Sequence, residues 1–319
     1  MRSNLELVIE QFLDHFKSKS YIITSPSELI TDDKTLLFTN DTITAWKSFL
    51  IDRNIPYQGL CMNQPCLRLR GLKDTICKEN QLEITPLRFL GYFNSLGILI
   101  KKSEDEIQTE ILELFLQKYK IPNKEIIIYA QEDMKFLNLI KNHIKVDYNS
   151  NPKIYYEWRY GIKDLIGRGA TFMLLQEGDN FQEIGQLIKI QDLSGEIIGY
   201  EFGVGAETFL SRKNKNKNYS AWSIYDVIQE KNLCFKTLLD NYSCLGAMLS
   251  IPNTLMTNRH FTEKRKVIRN IALLQDIFGI SSQWSESVLK DFLQLEFGME
   301  LNQCIKEEII SQYYHLGEY

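Results

Sequence analysis

The chain has 319 residues, 44% of them hydrophobic and 24% charged, globular proportions that exclude a disordered chain and allow one large core with a smaller module attached. A formal charge of −4 excludes a globally basic nucleic-acid coat, so any RNA contact must be regional. The residues after Met1 are amphipathic and acid-containing, and no segment approaches the ~20 apolar residues of a membrane span, so the expected setting is cytoplasmic, with no membrane partner.

Leu5, Val8, Ile9, Phe12, Leu13 and Phe16 recur at the helix period, and Ser18 to Ser20 closes that first helix. Tyr21 to Thr24 is β-prone and ends at Ser25-Pro26, and Thr35 to Asn40 reads as a short buried strand or turn. In Cys61 to Arg70 the alternation sets Leu67 and Leu69 on one side of a strand and Arg68 with Arg70 on the other. Two guanidinium groups on one side need water or an anion, and a solvated edge and a phosphate satisfy them equally. Glu83 to Phe93 reads as a second strand, antiparallel to the first through a loop over Gly71 to Asn80, with Pro86 marking an edge or bulge.

A surface helix is expected over Glu104 to Tyr119, a buried strand over Glu125 to Tyr129 and a helix over Asp133 to His143. Tyr155 to Gly161 gathers aromatics around Trp158, either as core or as the wall of a small pocket. Ala170 to Leu175 and Glu183 to Gln191 are two more strands, with a hairpin turn at Ser194-Gly195. Gly199 to Leu210 then reads as a strand, a glycine turn at Gly203 and Gly205, and a helix. Such a turn lets backbone approach a ligand closely and aims helix N–H groups at an anion, although a lone G-x-G is more often only a turn.

Arg212 to Asn218 is expected to be a solvated basic loop, and beyond Ser223 the period is helical. There Asn258 to Arg269 holds five cations and one acid in twelve residues, a pattern that suits a solvated helix face or a phosphate backbone. The six cysteines, Cys61, Cys66, Cys77, Cys234, Cys244 and Cys304, lack C-x-x-C spacing, so free thiols are expected rather than disulfides or a structural metal. Nothing in the sequence pairs His260 with a nucleophile in a Ser/His/Asp or Cys/His arrangement. The sum is an α+β fold: a mainly antiparallel sheet flanked by helices over residues 1–222, then a smaller all-helical region over residues 223–319.

Six segments occur in a fixed order: Thr35-Leu-Leu-Phe-Thr-Asn40, Gln64-Pro-Cys-Leu-Arg68, Leu90-Gly91-Tyr92-Phe93, Trp158, Glu183-Ile-Gly-Gln186, and Glu201 to Thr208. They are similar to T-L-L-F-T-N, Q-R-C-V-R, L-G-N-F, the tryptophan of F-W-x-M-G, E-I-W-N and D-T-G-M-G-L-E-R. From about Phe12 to Leu274 the chain thus resembles the catalytic domain of class II aminoacyl-tRNA synthetases, and within it the alanyl-tRNA synthetases. Lys264 to Asn270 is similar to that family's L-R-R-I-I-R-R acceptor-stem stretch.

The resemblance implies a class II synthetase-like antiparallel sheet, ATP and Mg2+ as cofactors, and a small amino acid and tRNA as partners. It implies that Arg68 binds the α-phosphate as the catalytic residue and that Glu183 holds the metal. Trp158, Gln186 and Glu201 would line the amino-acid pocket with Gly203 and Gly205, Glu201 pairing the substrate ammonium. Arg70, Arg88 and the position of Thr208 fall on the nucleotide side, and Arg259, Lys264, Arg265, Lys266 and Arg269 on the tRNA side.

Several departures bear on activity. Thr208 stands where the family has the arginine that clamps the phosphate tail, a loss on the order of 2 to 4 kcal/mol of transition-state stabilisation, with Arg70, Arg88 and Arg212 as candidate substitutes. Pro86, Leu87 and Arg88 replace the adenine platform, and Ile162 to Arg168 replaces G-P-C-G-P-C. No counterpart of the editing and oligomerisation domains is expected. Glu201 and Gln186 are each one methylene longer than the family's aspartate and asparagine, which shrinks the pocket and is worth roughly 1 to 3 kcal/mol of discrimination, favouring alanine or glycine.

Three readings follow. The first is an enzyme that activates a small amino acid and passes it to tRNA or to another, non-tRNA acceptor. The second is a paralogue with a degraded ATP site that uses or holds aminoacyl-tRNA as a transferase or adaptor. The third is an interaction module on the same fold.

Overall fold

The computed structural model describes residues 4–33, 36–69, 91–132, 134, 137, 138, 140–148, 153–176, 180–215, 233–277, 279–302, 305–307 and 311, without the side chains of 153, 154, 233–236 and 282. Its centre is a nine-stranded mixed sheet: β1 (Ile22–Ile23), β2 (Leu60–Arg68), β3 (Gly91–Ile100), β4 (Ile126–Ala130), β5 (Lys145–Tyr148), β6 (Glu157–Trp158), β7 (Leu165–Leu175), β8 (Phe181–Asp192) and β9 (Ile197–Gly205). The order is β1-β2-β3-β9-β8-β7-β4-β5, with β6 beside β7. β3, β9, β8, β7 and β4 pair antiparallel, while β1 joins β2 and β5 joins β4 in parallel. The α+β architecture read from the sequence is thus present.

The chain divides into two compact units, Met1–Ser27 with Asp41–Pro65 and Asn94–Asn216, and Glu28–Asn40 with Cys66–Phe93 and Lys217–Tyr319. In the first unit, alternation along β9 turns Tyr200, Phe202 and Val204 to one face of the sheet and Glu201 and Gly203 to the other. The first of these faces is covered by helix α1 (Asn4–Ser18) and by α3 (Glu104–Glu113), which continues as a π-helical turn over Leu114–Lys118. Phe202 meets Phe12, Phe115 and Phe172 at ring separations of 6.4, 5.8 and 5.7 Å, all four rings fully buried. Helix α4 (Ala206–Lys213) adds Phe209 against Tyr119 at 4.4 Å.

One polar cluster is buried at this face with its partners in place. Tyr21 donates to Glu110 Oε2 at 2.6 Å, Lys102 to Oε1 at 2.9 Å, and His15 Nε2 to the Glu110 carbonyl at 2.9 Å. Ser103 caps α3 in a capping box with Glu106, satisfying N–H groups that have no partner inside the helix.

In the second unit, helices α5 (Leu233–Leu249), α6 (Asn258–Ile277) and α7 (Ser282–Phe297) pack around Tyr242, Leu245, Ile271, Phe292 and Leu293. The described part of Thr35 to Asn40 is a turn rather than a strand. Thr39 receives Leu67 N–H on its carbonyl at 2.9 Å, and Phe38 packs on His260 at 5.1 Å. Thr257 N–H donates to His260 Nδ1 at 2.9 Å, which leaves the proton on Nε2, donating to the Leu37 carbonyl at 2.9 Å. His260 is therefore a buried anchor of this turn.

Other expectations need adjustment. Between Asp133 and His143 the described residues show 3-10 conformation at Leu137 and over Ile140–Asn142 rather than an α-helix. Residues 83–90 lie outside the described residues, where the second strand is seen from Gly91. Cys61, Cys66 and Cys244 are buried free thiols; Cys77, Cys304 and the Cys234 side chain lie outside the described residues. Among the described residues no helix is long and apolar enough to cross a membrane.

Candidate functional site

The other face of the sheet in the first unit alternates glycines with polar and aliphatic side chains. Registers place Gly97 of β3 opposite Gly203 of β9, and Gly203 opposite Gln186 of β8, which in turn faces Thr171 of β7. One step along lie Leu99, Glu201, Ile188 and Gly169. A methyl group added at Gly203 would meet nothing closer than Leu96 O at 3.9 Å, so the floor there is open. At Gly97 a methyl would lie 2.4 Å from Thr42 Oγ1, so the glycine admits the first turn of helix α2 (Thr42–Ile51). Asp41 caps that helix, accepting from Thr44 N–H at 2.8 Å.

Glu201 is a buried residue at the closed end of this floor, 9% exposed. Tyr160 donates to its Oε2 at 3.0 Å. Burial first, and the Glu201 carboxylate second, push the Tyr160 phenol well above its ordinary value, so it remains a donor at any physiological pH. Trp158 pairs with Gly167 of β7 and packs, with Tyr160, on the apolar cluster of Trp46, Leu99, Ile188 and Ile190. The sequence singled out Trp158 and passed over Tyr160, whose signal is its place two residues on, in the same aromatic run and before a glycine.

Glu183 and Gln186 stand on this face with Glu201 because β8 carries a bulge between its pairings to Phe172 and Met173. The bulge brings them together, Gln186 Nε2 donating to Glu183 Oε1 at 2.8 Å. Opposite Gln186, Thr171 is fully buried and its hydroxyl has no hydrogen-bond partner among the described residues. Among the described residues no three carboxylates, histidines or cysteines converge on a metal position. A magnesium ion held by one carboxylate together with substrate phosphates is compatible with Glu183, since Mg2+ is usually bound in that way rather than in an all-protein cage.

At the β9–α4 junction the structure corrects the glycine turn. β9 runs through Gly203 to Gly205, and Gly205 is extended (φ −81°, ψ 118°) with Ala206 already helical. The two glycines thus belong to the floor rather than to an anion-binding loop. Thr208, half-buried on the first turn of α4, puts no cation there. Its neighbour Glu207 accepts from Asn94 N–H at 2.9 Å and from Asn94 Nδ2 at 2.7 Å, and Asn63 Nδ2 donates to Asn94 Oδ1 at 3.0 Å. Arg212 is not in a solvated loop: it lies on α4, 4% exposed, bonded to Gln182. Burial lowers its pKa to about 10.

In the second unit, Arg68 Nε donates to the Asn40 carbonyl at 2.9 Å, and its guanidinium lies over the Phe93 ring at 5.2 Å. Arg70 and Arg88 lie outside the described residues. On α6, Arg259, Arg265, Lys266 and Arg269 are exposed, with Lys266 bridged to Glu263 at 2.7 Å. Lys264 is half-buried over Phe261.

A mixed, mainly antiparallel sheet with one aromatic face and one face carrying glycines and carboxylates, flanked by helices, defines an α+β domain. The family model of the tRNA synthetases class II (A) matches residues 7–232, and the chain belongs to that family. It is 26% identical over 303 residues to the alanine–tRNA ligase of Buchnera aphidicola subsp. Schizaphis graminum, covering 88% of this chain and 31% of that protein. The alanine–tRNA ligase of Dechloromonas aromatica is 34% identical over 136 residues, 39% of this chain and 14% of that protein. The chain therefore spans about a third or less of the length of these relatives. Among solved structures, apo histidyl-tRNA synthetase of S. aureus is similar at 12% identity and a TM-score of 0.42, over 66% of this chain and 65% of that one.

Proposed function

We propose that the protein activates a small amino acid, alanine or glycine, with ATP as the aminoacyl-adenylate and transfers it to tRNA. Residues 1–222 would serve as the catalytic part and residues 223–319 as the acceptor-stem part. The observation that carries this reading is Glu201, a buried carboxylate set at the closed end of a floor that contains Gly97 and Gly203 and held by the half-buried Tyr160 phenol. An ammonium group is the natural partner of such a carboxylate, and the extra methylene of Glu201 and of Gln186 relative to the family's aspartate and asparagine favours a small side chain. Carboxylate attack on the α-phosphorus breaks the bond to the β-phosphate and releases pyrophosphate; it needs no general base, so positioning and charge stabilisation carry the rate. Arg68 would stabilise the negative charge on the α-phosphoryl oxygens, its plane fixed by Phe93 and Asn40. Magnesium, when bound, supplies charge neutralisation on the phosphates, and Glu183 would hold it. Amino-acid-dependent exchange of pyrophosphate into ATP tests the reading; no exchange with any proteinogenic amino acid rejects it.

Thr208 favours a second reading, in which adenylation is lost and the protein binds or uses an aminoacyl-tRNA made elsewhere, as a transferase or an adaptor. Here the exposed Arg259, Arg265, Lys266 and Arg269 of α6, with Lys264 beside them, would meet the acceptor stem. Each phosphate deprived of its cationic partner lowers the slope of log affinity against log salt by about 1. Reversal of Arg265, Lys266 and Arg269 to glutamate should flatten that slope, and an unchanged slope removes this surface from consideration.

A further inference from the structure

Tyr160 takes no part in the chemistry described above, yet its placement is closely specified. The chain leaves β6 at Trp158 and turns at Gly161, whose φ of +67° lies in the left-handed region that favours glycine. Between them, Tyr160 is laid across the sheet. A methyl group at Gly167 would stand 2.7 Å from the Tyr160 hydroxyl and 3.2 Å from Trp158 Cβ, so the hydroxyl fills space that only a glycine leaves. From above β7 it reaches over β8 to Glu201 on β9, at 3.0 Å from Oε2. Its ring packs on the apolar cluster of Trp46, Leu99 and Ile188. The next residue on the same face after Glu201 is Gly203, with open space above it.

We propose that Tyr160 is the residue that sets both the orientation and the size limit of the amino-acid site. Its hydroxyl fixes the Glu201 carboxylate towards the substrate ammonium, and its ring closes the space that a substrate side chain longer than a methyl would enter. This rests on the reading of Glu201 as the ammonium partner. The hydroxyl acts through Glu201 and is a positioning group; the ring determines selectivity.

The test is calorimetric titration of the full chain with glycine, alanine, serine and valine, for the wild type, Tyr160→Phe and Tyr160→Ala, with thermal melts on each protein. Tyr160→Leu replaces the alanine variant if that one does not fold. Tyr160→Phe should weaken glycine and alanine alike, roughly ten-fold, leaving their ratio unchanged, as expected for removal of a hydrogen bond to a charged group. Tyr160→Ala should move the valine-to-glycine affinity ratio towards valine by roughly ten-fold or more, the scale of one or two methylenes in a pocket. The proposal is overturned if the phenylalanine variant binds like the wild type or if the smaller variant keeps the wild-type ratio. A wild type that takes up no amino acid is a different result: it removes the reading of Glu201 itself.

Discussion

The two faces of the sheet in the first unit use the same strands for opposite ends. On one face Phe202, Phe172, Phe115 and Phe12 interlock and exclude water. On the other, within one residue of Phe202, stand Glu201 and Gly203, and the floor across β3, β9 and β8 is Gly97, Gly203 and Gln186. The difference teaches that stability and chemistry are separated by strand alternation alone: a shift of one residue in register would place the carboxylate in the aromatic core and the phenylalanine in the site.

The comparison is broken most severely on the aromatic face. Phe202→Ala should cost about 3 to 5 kcal/mol of stability, seen as a lowered denaturant midpoint, while the folded fraction retains its amino-acid affinity. Glu201→Gln should do the reverse. Its side-chain carbonyl still accepts from Tyr160, so stability changes by no more than about 1 kcal/mol, whereas amino-acid binding weakens by about 2 to 5 kcal/mol because a buried ammonium is left without its charge partner. Equal losses of stability in the two variants would dissolve the distinction between the faces.

Gly97→Ala sharpens it at the floor. The new methyl meets Thr42 Oγ1 at 2.4 Å, and overpacking of this kind costs about 1 to 3 kcal/mol. Because Thr42 opens α2 above the floor, the same change should lower amino-acid affinity, and a variant that melts early but binds normally would place α2 outside the site.

The smallest effect belongs to His15 at the packed face. Burial, the largest cause, lowers its pKa below 6.5, so the folded state takes up this proton less readily than the unfolded chain. Its contribution is complete above about pH 6.5 and is lost as pH falls through the lower folded value. A pH series of urea melts on wild type and His15→Gln should show a shallower acid limb in the variant.

Much of this was legible in the sequence where periodicity is strong. The spacing of Leu5, Val8, Phe12 and Phe16 gave α1, and alternation at Cys61 to Arg68 gave β2. Glu183, Gln186 and Glu201 could be grouped only through resemblance, because the bulge in β8 that brings the first two together has no period of its own. The glycines at 203 and 205 misled for a physical reason: glycine marks turns and also marks strands that must leave room for something above them, and composition does not separate the two. Arg212 misled similarly. It opens a run of lysines and asparagines, yet the helix that holds it reaches two residues into that run, to Lys213, and Arg212 is buried. Tyr160 was hidden because its role depends on Gly167, seven positions on, being across a strand pair from it.

The contacts of Asn94 have a bearing on how such a floor persists. Strands with glycine on one face lack the cross-strand side-chain pairs that ordinarily lock neighbouring strands in step. Asn94 of β3 is held by Asn63 of β2 on one side and by Glu207, just past β9, on the other. Three polar residues thereby act as a pawl across three strands, stopping them from sliding where the face above offers nothing to grip.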